Sequence, residues 1–125
     1  MARRLLVVDD DPILAFLVAE WLMEIGCEVV GPARSVSAAL ELVEREGEAL
    51  DGALLDVALD GEDSYPIADA LALYGIPYAF VTGHGIGALA PGYRDAPALT
   101  KPFQFEDLQR TIDGLIALRG REKAE

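Results

Sequence analysis

The segment Leu5–Pro12 reads LLVVDDDP, four apolar residues followed by three aspartates and a proline. A continuous apolar run of this kind is typical of a strand that is buried on both faces. Asp11 is a good N-cap and Pro12 fits the first turn of a helix, so the segment predicts a strand that leads directly into a helix. Asp9 and Asp10 then lie at the carboxyl end of that strand.

The same alternation of short apolar runs and amphipathic stretches continues along the chain. Further strands are predicted at 28–32, 52–55, 78–81 and 98–100, and amphipathic helices follow every strand but the fourth. The segment Gly83–Pro97 is punctuated by Gly and Pro and is expected to hold at most a short helical turn. This order predicts right-handed crossovers and a parallel sheet with helices on both faces.

Length, charge and cysteine content limit the functions that the chain can have. Its 125 residues suit one domain, and no apolar run is long enough for a membrane span or a signal-peptide core, so we expect a cytoplasmic protein. A net charge of −12 disfavours binding to nucleic acid or to an anionic membrane. Cys27 is the only cysteine, which excludes an internal disulfide and predicts a buried thiol.

Chemically active side chains follow four of the five predicted strands. They are Asp9 and Asp10, Asp56, Thr82 and Lys101. In a parallel sheet the ligand site lies beyond the carboxyl ends of the strands, so we expect these side chains to lie close together.

Three carboxylates in one patch need more compensation than a single lysine provides. Two of them about 4 Å apart repel by roughly 4 kcal/mol at an effective dielectric constant near 20. A set of oxygen ligands without His or Cys favours Mg²⁺. A carboxylate beside Mg²⁺ and a lysine can also act as a nucleophile toward phosphorus, because the cations screen its charge.

Four motifs, VVDDDP, LLDVALDG, FVTG and LTKPF, occur in this order over nearly the whole chain. With these motifs the sequence resembles the receiver domain of bacterial two-component response regulators. The resemblance implies a flavodoxin-like α/β fold with a doubly wound (βα)5 arrangement, a sheet in the order 2-1-3-4-5 and a short or degenerate fourth helix. We expect a stand-alone receiver at 1–120, a charged tail at 121–125 and no output domain.

The resemblance assigns the acids to two tasks. Asp56 matches the aspartate that accepts a phosphoryl group from the phosphohistidine of a histidine kinase or phosphotransfer protein. Asp9 and Asp10 match the pair that, with Asp56, holds Mg²⁺, and Mn²⁺ is a possible substitute. The backbone carbonyl of Ala58 would be a further metal ligand.

The resemblance also assigns the residues around the phosphoryl group. Thr82 matches the switch hydroxyl, and Lys101 matches the lysine that pairs with the phosphoryl group, commonly aimed inward by a cis peptide bond to Pro102. Most receivers carry an aromatic residue three positions before the lysine, where this chain has Ala98. If a switch exists, Thr82 and the glycine-rich segment Gly83–Pro97 are expected to carry it.

A finer resemblance concerns the run IPYAFVTGHG. It looks like the single-domain alphaproteobacterial receivers that carry a Phe-Ala-Thr-Gly-x-Tyr motif and are linked to stress signalling, although Val81 replaces the alanine and Gly85 the tyrosine. We interpret Gly83 as leaving room for a phosphodonor or water, and His84 as a residue that can modulate the lifetime of the phosphoryl group.

These assignments predict a phosphoacceptor that is not an enzyme in its own right, apart from self-catalysed phosphotransfer and slow autodephosphorylation. It would signal to an unidentified downstream protein or pass the phosphoryl group on in a phosphorelay, as a monomer rather than a dimer. Two alternatives remain open: an adaptor that works without phosphate, suggested by Ala98, and a haloacid-dehalogenase-like phosphatase with Asp9 as nucleophile.

We also expect Trp21 and Phe16 to serve packing, and Asp60, Glu62 and Asp63 to form a solvated loop.

Overall fold

The computed structural model describes residues 2–124, which form a five-stranded parallel sheet with helices on both faces. The strands, in chain order, are β1 (Arg3–Val8), β2 (Cys27–Ala33), β3 (Gly52–Asp56), β4 (Ala58–Leu59), β5 (Glu62–Asp63), β6 (Tyr78–Thr82) and β7 (Ala98–Thr100). The helices are α1 (Pro12–Ile25), α2 (Val36–Glu46), α3 (Tyr65–Leu73) and α4 (Phe105–Ala124). The sheet order is β2-β1-β3-β6-β7, and β4 pairs with β5 in a separate hairpin. Strands β6 and β7 are the fourth and fifth strands predicted from the sequence, so the predicted order 2-1-3-4-5 and the predicted fold class are confirmed.

The opening segment of the chain folds as its pattern predicts. Oδ1 of Asp11 accepts a hydrogen bond from the backbone N–H of Ile13 at 3.0 Å and so caps α1, with Pro12 in its first turn. Gly26 ends the helix at a φ of +102°, a conformation that favours glycine. These caps fix α1 directly beyond the carboxyl end of β1, where Asp9 and Asp10 lie.

Both faces of the sheet are covered, which explains the uninterrupted apolar run in β1. Successive strand residues point to opposite faces. Leu5 and Val7 pack in a core cluster with α1 and α4, whereas Leu6 and Val8 pack in a cluster with α2 and α3. All four side chains are at most 2% exposed. A strand between two cores has no solvated face and so carries no polar alternation.

The acidic segment after β3 differs in part from the expected solvated loop. Asp60, Glu62 and Asp63 are exposed, as predicted, but the chain pairs β4 with β5 around a tight turn. The turn residues Asp60 and Gly61 both have positive φ, +49° and +87°. Asp-Gly in this conformation is a common two-residue hairpin turn.

The two aromatic residues of α1 have different environments. Trp21 is half-buried and packs edge-on against Phe103 and Phe105, which confirms its predicted packing role. The same expectation for Phe16 is wrong, because its side chain is 67% exposed and Ile13 beside it is 81% exposed. Helix α1 turns a different set of residues to the core: Ala15, Val18 and Leu22.

The region between β6 and β7 has no α-helix, as predicted. Two single 3₁₀ turns, Ile86–Ala88 and Pro91–Tyr93, replace it, and Leu89 between them is buried in the core.

At the other end of the sheet Cys27 is buried, as expected, and burial raises the pKa of its thiol. Within residues 2–124, we find no helix with the length and apolar character that crossing a membrane requires.

Candidate functional site

Lys101 and Asp56 meet at the carboxyl edge of the sheet. Nζ of Lys101 donates a hydrogen bond to Oδ2 of Asp56 at 3.3 Å. The backbone N–H of Lys101 donates to the carbonyl of Thr82 at 2.8 Å, which continues the pairing of β7 with β6. The peptide bond between Lys101 and Pro102 is cis, as the resemblance implies. The sheet therefore places the ammonium beside a carboxylate from a different strand.

Asp9, Asp10 and Asp56 form an acidic cluster next to this ion pair. Each offers a carboxylate oxygen, and these oxygens lie within 4.8 Å of one another. Asp9 is 4% exposed, and its burial raises the pKa of its carboxyl to about 6. A hydrogen bond from the backbone N–H of Asp11, at 2.9 Å, opposes that rise, and the charge of Asp56 adds to it. The cluster thus carries unfavourable charge that a cation would relieve.

The donor set of the cluster fits a hard divalent cation. Its three side chains supply only oxygen atoms, which Mg²⁺ and Mn²⁺ prefer over the sulfur and imidazole ligands typical of zinc sites. The group is therefore one that could hold a metal ion.

Asp10 has a contact that the sequence did not reveal. Its Oδ2 accepts a hydrogen bond from the backbone N–H of Asp60 at 2.9 Å, fifty residues along the chain. This bond ties the turn of the β4–β5 hairpin to the acidic cluster. Ala58, the first residue of β4, is exposed and pairs with Asp63. The Asp-Gly dipeptide could have predicted the hairpin, but nothing in the sequence indicates that its amide reaches Asp10.

Thr82 ends β6 beside the acidic cluster and is 3% exposed. Its Oγ1 accepts a hydrogen bond from the backbone N–H of His84 at 3.0 Å. His84 and Gly83 are exposed, and a Cβ placed on Gly83 would meet no atom within 4 Å. The backbone of His84, rather than its imidazole, therefore contacts Thr82.

Aromatic rings from other elements lie near Ala98, the position at which the expected aromatic residue is missing. Ala98 is half-buried and lies opposite Phe80 in the register of β6 and β7. Two tyrosines, Tyr65 of α3 and Tyr93 of the segment before β7, pack edge-on against Phe80. Sequence reasoning did not single out either tyrosine, because their contact with Phe80 joins distant parts of the chain.

The fold and this site together define a class of protein. Residues 5–113 match the family described as "Response regulator receiver domain", and the chain belongs to that family. Receiver domains are signalling phosphoacceptors, not conventional enzymes, and bind Mg²⁺ generally.

Individual relatives agree with this membership. The chain is similar to the transcriptional regulatory protein PdtaR of Mycobacterium tuberculosis, with 34% identity over 124 residues, 96% of this chain and 59% of PdtaR. The chain thus spans about three fifths of the length of that curated relative. It also resembles the solution structure of SdrG from Sphingomonas melonis Fr1, with a TM-score of 0.81 and 35% identity over 92% of this chain and 97% of that one.

A longer protein contains a similar fold as part of its chain. The crystal structure of the response regulator PhyR from Brucella abortus is similar with a TM-score of 0.84 and 29% identity, over 98% of this chain and 51% of PhyR. The similarity therefore covers nearly all of the present chain and about half of PhyR.

Proposed function

We propose that Asp56 accepts a phosphoryl group from the phosphohistidine of a histidine kinase or phosphotransfer protein, and that the chain signals through protein contacts. The observation that carries this proposal is the convergence at one sheet edge of Asp56, the ammonium of Lys101 at 3.3 Å and the acidic pair Asp9 and Asp10. No other group of three or more potential metal ligands occurs among the described residues.

The transfer exchanges one bond to phosphorus for another. A carboxylate oxygen of Asp56 attacks phosphorus, an O–P bond forms, and the N–P bond to the donor histidine breaks. The bonding electrons leave with the imidazole nitrogen, which takes up a proton. Lys101 and the hydroxyl of Thr82 stabilise the charge on the phosphoryl oxygens, because a fixed cation and a fixed donor need no reorganisation during the step.

Asp9, Asp10 and Asp56 would hold Mg²⁺, with the backbone carbonyl of Ala58 as a further ligand. When bound, the ion neutralises charge on the phosphoryl oxygens and on the acids. The hydrogen bond from Asp60 to Asp10 orients that carboxylate before the metal arrives. Gly83 leaves open space beside Thr82 for the donor or for a water molecule.

An apolar surface next to the site suits a protein donor. Ile13, Phe16 and Leu17 are exposed on one face of α1, at a helical spacing of three and four residues. A cavity of about 520 Å³ adjoins this face, and its lining includes Ile13, Leu17 and Lys101. Because Lys101 also contacts Asp56, a donor seated on this apolar surface would lie beside the phosphoacceptor. We name Ile13, Phe16 and Leu17 the donor patch.

Phosphorylation by a small donor tests the proposal. The purified chain is incubated with acetyl phosphate or phosphoramidate and Mg²⁺, and the covalent phosphate is measured by mass spectrometry. We expect Asp56→Asn to abolish phosphorylation, and Asp9→Asn to retain it with a weaker dependence on Mg²⁺. Asp113→Asn, which changes an exposed carboxylate on α4, serves as the matched control. Phosphate retained by Asp56→Asn would refute the proposal.

The same variants address the phosphatase alternative. If Asp9 were the nucleophile, Asp9→Asn and not Asp56→Asn would abolish the covalent phosphate. Two observations favour Asp56: the chain belongs to the receiver family, and the described contact of the Lys101 ammonium is with Asp56.

The adaptor alternative rests on the small side chain of Ala98, which removes the usual aromatic part of the switch. It predicts that a downstream protein binds the phosphorylated and the unphosphorylated chain equally tightly. A pull-down from the source organism, with and without phosphorylation, separates the two functions, because a phosphorylation-dependent switch requires different affinities.

A further inference from the structure

Two chain segments that leave the phosphoacceptor site meet again beside α3. One runs from Asp56 through the β4–β5 hairpin to Tyr65, the first residue of α3. The other runs from Thr82 to Tyr93, and Leu89 within it is 1% exposed and anchors it in the core. The contacts between these two segments therefore link the residue that carries the phosphoryl group to the residue that senses it.

Side chains hold the two segments together. The phenol oxygen of Tyr65 accepts a hydrogen bond from the backbone N–H of Ala90 at 2.8 Å. The hydroxyl of Tyr93 donates to Oδ1 of Asp69 on α3 at 2.9 Å, and this bond raises the pKa of Tyr93. The rings of Tyr65 and Tyr93 stack with centroids 4.2 Å apart and an angle of 14°. We call Tyr65, Asp69, Ala90 and Tyr93 the tyrosine clasp.

The tyrosine clasp rests on the strand that ends in Thr82. Both of its rings contact Phe80 edge-on, with centroid distances of 5.7 Å for Tyr65 and 6.0 Å for Tyr93. Phe80 lies two residues before Thr82 on β6 and is fully buried. A shift of β6 toward Asp56 would therefore change the surface on which the two tyrosine rings pack.

The segment between Thr82 and the clasp has open space beside its glycines. A Cβ placed on Gly83, Gly85 or Gly87 would meet no atom within 4 Å, and Gly85 has a φ of +79°. Arg94 reinforces the region beyond them, since its Nε donates to the carbonyl of Leu89 at 2.9 Å. Its Nη2 also donates to the carbonyl of Gly87 at 3.4 Å. Glycines with open space beside them thus lead into a segment held by several hydrogen bonds, which is the arrangement of a hinge next to a latch.

We propose that the tyrosine clasp is the conformational switch of this chain, closed when Asp56 is unmodified and open when Asp56 carries a phosphoryl group. The inference rests on the proposed function. Oγ1 of Thr82 now accepts a bond from the backbone of His84; when the hydroxyl turns toward a phosphoryl oxygen, the hinge loses that support. Ala98 has no ring to move, so the aromatic rearrangement falls to the clasp. Opening exposes more of Tyr65 and Tyr93, which are half-buried when the clasp is closed.

The backbone amide of Ala90 reports directly on the clasp. Its hydrogen exchange is measured by NMR with Mg²⁺ alone and with Mg²⁺ plus beryllofluoride, a stable mimic of the phosphoryl group. We expect beryllofluoride to speed the exchange of Ala90 by about tenfold, because local opening sets the exchange rate. If the resonances of Asp56 and Lys101 shift but Ala90 exchanges at an unchanged rate, the switch is refuted and the proposed function stands. If no resonance shifts, both are refuted.

Variants test the reciprocal coupling. A ligand that favours the open state must bind more tightly when the closed state is weakened. Tyr93→Phe keeps the stacked ring and removes the bond to Asp69, and Asp69→Asn weakens the same bond from the other side. We expect each to raise the affinity for beryllofluoride about threefold or more. Tyr74→Phe, at the end of α3, is the matched control. Equal affinities for all three variants and the wild type would refute the switch.

Discussion

Nζ of Lys101 lies 3.3 Å from Oδ2 of Asp56, although 45 residues separate the two along the chain. The side chain of Asp56 is only 12% exposed, so the ammonium pairs with a carboxylate that is largely shielded from water. One ammonium faces three carboxylates, and the site therefore carries excess negative charge that a bound cation would offset. A phosphoryl group entering this site brings further negative charge, which Lys101 is placed to offset.

Replacing Lys101 by methionine should slow the phosphorylation of Asp56 by acetyl phosphate about a hundredfold at saturating Mg²⁺. The variant keeps most of the side-chain volume but removes the cation that stabilises the phosphoryl oxygens. Rates are measured by quenching and mass spectrometry. Arg110→Met removes an exposed cation on α4 and should react at the wild-type rate. A wild-type rate for Lys101→Met would contradict the assigned role.

Asp9→Asn should raise the free energy of unfolding of the metal-free chain at neutral pH by about 1–3 kcal/mol. The pKa of Asp9 rises from 3.8 to about 6 on folding, so the folded chain holds the extra proton between those values. The contribution of the Asp9 carboxyl to the free energy of unfolding therefore falls as the pH rises from about 4 to about 6, and it stays low at higher pH.

Urea unfolding across that pH range measures the effect. The pH dependence should be flatter in Asp9→Asn, and adding Mg²⁺ should stabilise the wild type more than the variant, because the metal binds only the folded site. Asp113→Asn should unfold like the wild type. A less stable Asp9→Asn chain without metal would show that the carboxylate is not under electrostatic strain.

His84→Ala should lengthen the lifetime of the phosphorylated form about threefold or more, if the exposed imidazole positions the attacking water. The backbone N–H that donates to Thr82 remains in the variant, so the contact of the Thr82 hydroxyl is preserved. Phosphate release from the purified phosphorylated chain gives the rate. An unchanged rate would leave His84 as a solvated loop residue.

Phe16→Ala should slow phosphorylation by a phosphohistidine-bearing protein about tenfold, since an exposed aromatic residue in a contact surface often contributes more than 1 kcal/mol. Phosphorylation by acetyl phosphate should not change, because a small donor does not need the donor patch. Met23→Ala changes an exposed apolar residue elsewhere on α1 and is the matched control. An equal loss of rate with acetyl phosphate and with the phosphohistidine protein would indicate a defect in the phosphoacceptor site instead.

Arg119→Met should lower the free energy of unfolding by about 2–4 kcal/mol. Arg119 is 4% exposed and donates to the carbonyls of Gly75 at 3.0 Å and Glu48 at 2.8 Å. Its loss would remove these hydrogen bonds and leave a gap where a buried side chain packs. Urea unfolding checks the change, and Arg110→Met, exposed on the same helix, should change stability by less than about 0.5 kcal/mol. A similarly small loss of unfolding free energy for Arg119→Met would show that the hydrogen bonds of Arg119 do not stabilise the fold.

Local sequence patterns gave most of the fold. The run Leu5–Val8, the cap at Asp11 and the glycine at Gly26 each act on neighbouring residues, so the strand and helix they define could be recognised in isolation. The Asp-Gly dipeptide is the only local signal of the hairpin around Asp60, because its strands are two residues long and too short to show alternation. Phe16 was misassigned because the helical spacing of α1 includes apolar residues on both its buried and its exposed face.

That acids, a hydroxyl and a lysine follow parallel strands could be predicted from the order of the residues, because strand and helix patterns are local and parallel strands align their carboxyl ends. Which of these groups touch depends on the folded chain: the amide of Asp60 contacts Asp10, and the ring of Tyr65 stacks on that of Tyr93. Such contacts depend on how whole elements pack against one another, and a few ångströms of displacement, invisible in the sequence, would abolish them.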